Sequence, residues 1–144
     1  MKTTCGYHNI IEEDKIKTTL IVEIEATSAC PCSKEISKNS AHNQRCTIRL
    51  EVGEKDFIWF EDLIYLLESS ASAPVFTLLK RTDEAYLTDL AYDNPKFVED
   101  IVREVYTKMI NEYKDKISRI KIEVESDESI HQHKAFAIID KVIE

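Results

Sequence analysis

The chain has 144 residues, 43% hydrophobic and 32% charged, which suits one domain with a packed core and falls short of two independent ones. Its formal net charge of −8 excludes a broad nucleic-acid-binding surface, which needs a basic face, although a few local cations and backbone N–H groups can still hold a nucleotide. No stretch approaches the roughly 20 apolar residues of a membrane span, and the opening MKTTCGYHNIIEEDKIK has no signal-peptide core, so no membrane partner and a cytoplasmic location are expected.

The first regular element lies in residues 16–26. Leu20, Val22, Ile24 and Ala26 alternate with Thr19, Glu23 and Glu25, the period of a half-buried strand. A second alternation runs over residues 45–52, with Cys46, Ile48, Leu50 and Val52 inward and Arg45, Thr47, Arg49 and Glu51 outward. The polar segment between them, 27–44, is long for a hairpin and reads as a functional loop. Phe60, Leu63, Ile64 and Leu67 then fall at helical spacing, and the serine-rich residues 69–72 end that helix. Residues 73–87 read as a mixed connection. A longer helix is predicted from Asp93-Asn94-Pro95, with Asn94 as cap and Pro95 at the first helical position. Its apolar stripe includes Phe97, Ile101, Val102, Val105 and Met109, and residues 114–116 close it. A third strand alternates through Ile120, Ile122 and Val124, and a fourth covers residues 135–143. The order β-β-α-α-β-β implies an α+β domain over 1–144, an antiparallel sheet with two helices on one face. Such a sheet has two open edges, which homo-oligomerisation into a barrel would pair.

Four cysteines (Cys5, Cys30, Cys32, Cys46) in such a chain are expected to be reduced. Only Pro31 separates Cys30 from Cys32, a poor arrangement for a mutual disulfide. Residues 27–45 combine Cys30, Cys32 and His42, and residues 128–133 combine Glu128, His131 and His133. Thiolates, neutral imidazoles and carboxylates ligate transition metals. Each cluster alone is a weak signal, because an isolated Cys or His is more often structural, and residue chemistry by itself goes no further than permitting a metal site.

The blocks CPCSKEIS, AHNQR, LLKRTDE, NPKFVEDIVREV and ESIHQH together resemble the type IB GTP cyclohydrolases, in that family's order, from residue 27 to the last strand. The resemblance implies a tunnelling fold and an active site between modules or subunits. It implies a single divalent transition metal (zinc, iron(II) or manganese) held by Cys30, His42, Glu84, Glu128 and His131. His42 and Glu128 would also move protons. The metal would activate water for attack on C8 of the guanine ring of GTP or a related purine nucleotide, giving formate and a 7,8-dihydroneopterin phosphate. Glu99 would anchor guanine, since a carboxylate can accept from N1–H and the 2-amino group side by side. Without a ligand it is a favourable first-turn charge, worth roughly 0.3–1 kcal/mol. Lys34, Arg45, Lys80, Arg81 and His133 are the remaining substrate-binding candidates, and the cations among them could equally be solvated surface charges. Cys32 and Cys46 are expected to pack as thiols, while Cys5 and His8 lie outside the motifs.

The chain also departs from the family's pattern. Typical members carry another module of similar architecture before this one, so either a larger homo-oligomer or a separate chain would complete the site. Ser40 stands where a glycine is usual, Cys46 where serine is common, and Asp93 where glutamate precedes NPKF. Two other functions fit the same motifs: a different tunnelling-fold enzyme acting on a purine or pterin, and a non-catalytic binding module derived from one.

Overall fold

The computed structural model describes residues 3–12 and 15–144. Its strands are β1 (Thr3–Glu12), β2 (Lys15–Ala29), β3 (Asn43–Glu54), β4 (Ala73–Pro74), β5 (Ile117–Asp127) and β6 (Lys134–Val142). The α-helices are α1 (Pro31–Ile36), α2 (Phe60–Glu68), α3 (Arg81–Asp93) and α4 (Val98–Tyr113), and a 3-10 turn at Lys114–Lys116 follows α4. All strands join one antiparallel sheet in the order β1-β2-β3-β5-β6. The short β4 pairs with β2 at Ala26 and Thr27, beyond the stretch that β1 covers.

The expected alternations place the core. Leu20, Val22, Ile24 and Ala26 of β2, Cys46, Ile48, Leu50 and Val52 of β3, and Ile120, Ile122 and Val124 of β5 are all buried. Against this face pack α2 through Leu63, Leu66 and Leu67, and α4 through Ile101, Val102, Val105 and Met109. α2 lies over β2, and α4 crosses β5 and β6. The opposite face carries a ladder of charge in which Arg49 meets Glu23, Glu51 and Glu123, and Lys121 meets Glu123. One apolar and one polar face is the pattern of an antiparallel sheet covered on one side.

The structure adds elements that periodicity could not reveal. β1 is exposed along most of its length, so no inward-facing residues mark it in the sequence. The segment 27–44 is mostly ordered: β2 runs on to Ala29, α1 follows, and β3 begins at Asn43. Residues 73–87 are not simply a connection, because α3 starts at Arg81. Only Ala91 of α3 is buried, so that helix has no apolar stripe to read. The start of α4 is also corrected. Asn94 does not cap it but closes α3, its N–H bonding the Leu90 carbonyl at 3.0 Å. Its side chain donates to the carbonyls of Ala71 and Ser72 at 3.0 and 3.2 Å. Pro95 lies between the helices, and α4 is capped instead by Asp100, whose carboxylate accepts from the Phe97 N–H at 3.0 Å.

Among the described residues no helix is long and apolar enough to cross a membrane. All four cysteines are free. Cys46 packs in the core as expected, whereas Cys32 does not pack: α1 buries none of its residues, and the Cys32 thiol faces solvent.

Candidate functional site

At one end of the sheet the polypeptide forms a cleft of about 250 Å³ lined by Ser28, Cys30, His42, Gln44, Lys96–Glu99, Glu128, His131, His133 and Ala135. Each wall has a local cause. β2 delivers Ser28, and where the strand ends Cys30 caps α1, its sulfur 3.5 Å from the Ser33 N–H. The Cys30 N–H bonds the His42 carbonyl at 3.0 Å, and the His42 N–H donates to Ser33 Oγ at 3.1 Å, so Cys30 and His42 are fixed to each other through the backbone. The segment after β5 turns sharply: the His131 N–H reaches the Glu128 carbonyl at 3.1 Å. Within this turn the His131 and His133 rings stack, 4.9 Å between centroids and 17° between planes.

The fourth wall is the junction of α3 and α4. The Lys96 N–H bonds the Ala29 carbonyl at 2.9 Å. The Lys96 ammonium, with a side chain only 12% exposed, reaches the Ser70 carbonyl at 3.1 Å and Glu104 at 2.5 Å. This docking sets the first turn of α4, and with it Glu99, over the cleft.

Inside the cleft, Glu128 Oε2 lies 4.0 Å from His42 Nδ1, with both side chains largely covered. Between them stands Gln44, 9% exposed, whose amide meets His42, Glu128, Ser28 and Ser129. Gln44, Ser28 and Lys96 were not singled out from the sequence. Their signal lies in strand parity: Gln44 and Ser28 continue the inward series of β3 and β2 past its last apolar residue, so each is a polar group buried beside the candidate ligands.

Of the residues expected at the metal and substrate, Cys30, His42, Glu99, Glu128, His131 and His133 share this cleft. Glu84 does not. It is exposed on the first turn of α3 and lines a second cleft of about 250 Å³ with Arg45, Thr27 and Asn43. Thr27 and Arg45 pair across β2 and β3 and point away from the face that carries Ser28 and Gln44. Lys34 lies elsewhere too, donating to the Tyr92 carbonyl at 2.6 Å with its ammonium 4.3 Å from the centre of that ring. Lys80 and Arg81 are exposed at the start of α3 and line neither cleft. Among the described residues, no three His, Cys, Asp or Glu side chains stand close enough together to hold a metal ion. The donor types at the first cleft (one thiol, imidazoles, a carboxylate) nevertheless suit a divalent transition metal.

Residues 1–137 match the protein family described as type I GTP cyclohydrolase folE2. The chain is 48% identical over 143 residues to GTP cyclohydrolase FolE2 of Thermosipho melanesiensis, covering 99% of this chain and 54% of the relative. The corresponding protein of Thermosipho africanus is 50% identical over 140 residues, covering 97% of this chain and 53% of the relative. That of Geobacter metallireducens is 48% identical over 141 residues, covering 98% and 53%. The chain thus spans about half the length of the curated relatives it matches.

Proposed function

Because the chain belongs to the FolE2 family of type I GTP cyclohydrolases, we propose that its cleft takes part in the type IB reaction, metal-dependent opening of the guanine imidazole ring of GTP. One observation carries the reading. Cys30, His42, Glu99, Glu128 and His131, which come from four separate segments of the chain, line a single cleft.

Hydrolysis at C8 breaks its bonds to N7 and N9 and releases formate. N9 keeps its bond to ribose C1′; the sugar ring then opens and rearranges to a 2-ketone, and the N7 amine condenses with C2′ with loss of water, closing the ring of a 7,8-dihydroneopterin phosphate. Glu99 accepts the N1–H and 2-amino hydrogens and so sets the ring's orientation. His42 and Glu128, 4.0 Å apart, pass protons between the attacking water and the ring nitrogens. Cys30 and His131, with His42 or Glu128, would hold the zinc, iron(II) or manganese ion. Bound there, such an ion supplies Lewis-acid activation of water near neutral pH. Of the phosphate-binding candidates Lys34, Arg45, Lys80 and Arg81, none lines the first cleft and Arg45 lines the second, so their contacts with phosphate would depend on the assembled protein. We further propose that the chain works as a homo-oligomer in which neighbouring sheets join, with sites completed across the contacts.

The test is turnover of GTP by the 144-residue chain, purified without oxygen and supplied with each metal in turn. Formate release and a fluorescent pterin after oxidation are expected. Cys30→Ala and His131→Ala should each lose bound metal and at least ~100-fold in kcat/KM. Glu84→Gln is informative about the second cleft: metal loss includes Glu84 in the ligand set, and full retention removes it. A metal-loaded wild type that leaves GTP intact would overturn the proposal.

A further inference from the structure

Gln44 stands where two working groups meet without touching. Glu128 and His42 approach only to 4.0 Å, beyond hydrogen-bond reach, and the Gln44 amide spans the gap. Its Nε2 lies 3.3 Å from Glu128 Oε1 and 3.4 Å from Ser28 Oγ, while its Oε1 lies 2.9 Å from His42 Nδ1. Ser28 Oγ donates its own hydrogen to the Lys96 carbonyl at 3.2 Å, which leaves it free to accept from Gln44.

Ser129 Oγ lies 3.5 Å from His42 Nδ1 and 3.4 Å from Gln44 Oε1, and with its hydrogen donated to the amide oxygen these contacts favour one assignment. A carboxylate only accepts, so the Glu128 side must face the amide NH₂. The amide oxygen must then face His42, and an oxygen opposite Nδ1 requires Nδ1 to carry the proton. The neutral ring is therefore held with its lone pair at Nε2. We propose that Gln44 is a positioning residue that bridges Glu128 to His42 and fixes His42 as the Nδ1–H tautomer, presenting Nε2 as the acceptor. The sheet builds this bridge: Gln44 and Ser28 are direct partners across β2 and β3, and burial leaves the amide little freedom to turn. The catalytic consequence rests on the function proposed above, whereas the tautomer does not.

Nitrogen-15 NMR of histidine-labelled chain without metal, at a pH where His42 is neutral, reads the tautomer directly. The wild type should show a protonated Nδ1 and an unprotonated Nε2 at His42. Gln44→Leu removes both arms of the bridge and should shift the ring toward the Nε2–H form that free imidazole side chains favour. Gln44→Glu keeps an acceptor for His42 but not a donor for Glu128, so it should retain the Nδ1–H form. In turnover assays, Gln44→Leu should lower kcat by ~10–100-fold with KM for GTP within about twofold. A wild-type ring protonated at Nε2, or a tautomer unmoved in folded Gln44→Leu, would overturn the inference. The expected tautomer shift in a protein whose wild type leaves GTP intact would support the bridge and count only against the proposed reaction.

Discussion

Cys46 shows how far a single side chain is governed by its surroundings. Burial pushes its thiol from the ordinary 9.0 up to about 12, outweighing hydrogen bonding with the Ala26 backbone and the nearby Arg45 charge. Thiol reagents at pH 8 should therefore label Cys32 in the native protein and reach Cys46 only on unfolding, a difference that mass spectrometry after brief labelling resolves. The raised value also has a stability consequence. Above pH 9.0 the unfolded chain gives up this proton while the folded one keeps it, so Cys46 costs stability progressively as pH climbs toward about 12. Denaturation of wild type and Cys46→Ala over that range should show the wild type's advantage shrinking. An advantage that stays constant would contradict the burial account.

At the scale of elements, the stretch joining α3 to α4 is held by few but well-placed polar contacts. Lys96 is central, with its ammonium shared between the Ser70 carbonyl and Glu104, which also accepts from Lys108 at 2.8 Å. Partial burial works against the Glu104 charge, but the bonds from Lys108 and Lys96 prevail and hold its carboxyl below the ordinary 4.5. A depressed carboxyl contributes stability above its unfolded value and loses it as pH falls through the folded one. Lys96→Met should therefore destabilise by roughly 1 kcal/mol near neutral pH, since Glu104 is partly exposed and keeps Lys108. The deficit should diminish below pH 4.5, as urea titrations at several pH values would show. A pH-independent deficit would mean that Lys96 acts through its carbonyl contact and apolar stem alone. Because Lys96 sits beside Glu99, the same variant links helix docking to the cleft's geometry.

The whole molecule leaves the sheet open at β1 and at β6. Phe136, Ile138 and Val142 of β6 and Tyr7, Ile10 and Ile11 of β1 are exposed, apolar and set along those two edges. Unpaired edges with exposed apolar residues favour pairing with another chain. On the proposed assembly, sedimentation should give a mass several times the 16.7 kDa of one chain. Ile138→Lys together with Phe136→Glu should return it to a monomer with unchanged circular dichroism. A wild type that stays monomeric at all concentrations would remove the assembly, and with it any site completed between copies.

Residue order alone encodes the sheet's inner face and the two helices that cover it. There burial imposes a period of two on β2, β3 and β5 and a helical stripe on α2 and α4. It also determined the family, because long co-linear motifs such as CPCSKEIS and ESIHQH are written directly in residue order. Exposed elements left no such trace. β1 and α3 bury almost nothing, so no apolar spacing marks them, and the start of α4 was masked by Asn94-Pro95, whose favourable capping chemistry serves α3 instead. Which candidates meet depends on how the strands and helices pack in three dimensions. Strand parity sends Ser28 and Gln44 to one face and Thr27 and Arg45 to the other, which separates Glu84's cleft from that of Cys30 and His131. The Gln44 bridge belongs to the same class, since it depends on distances between β2, β3 and the turn after β5 that no local pattern encodes.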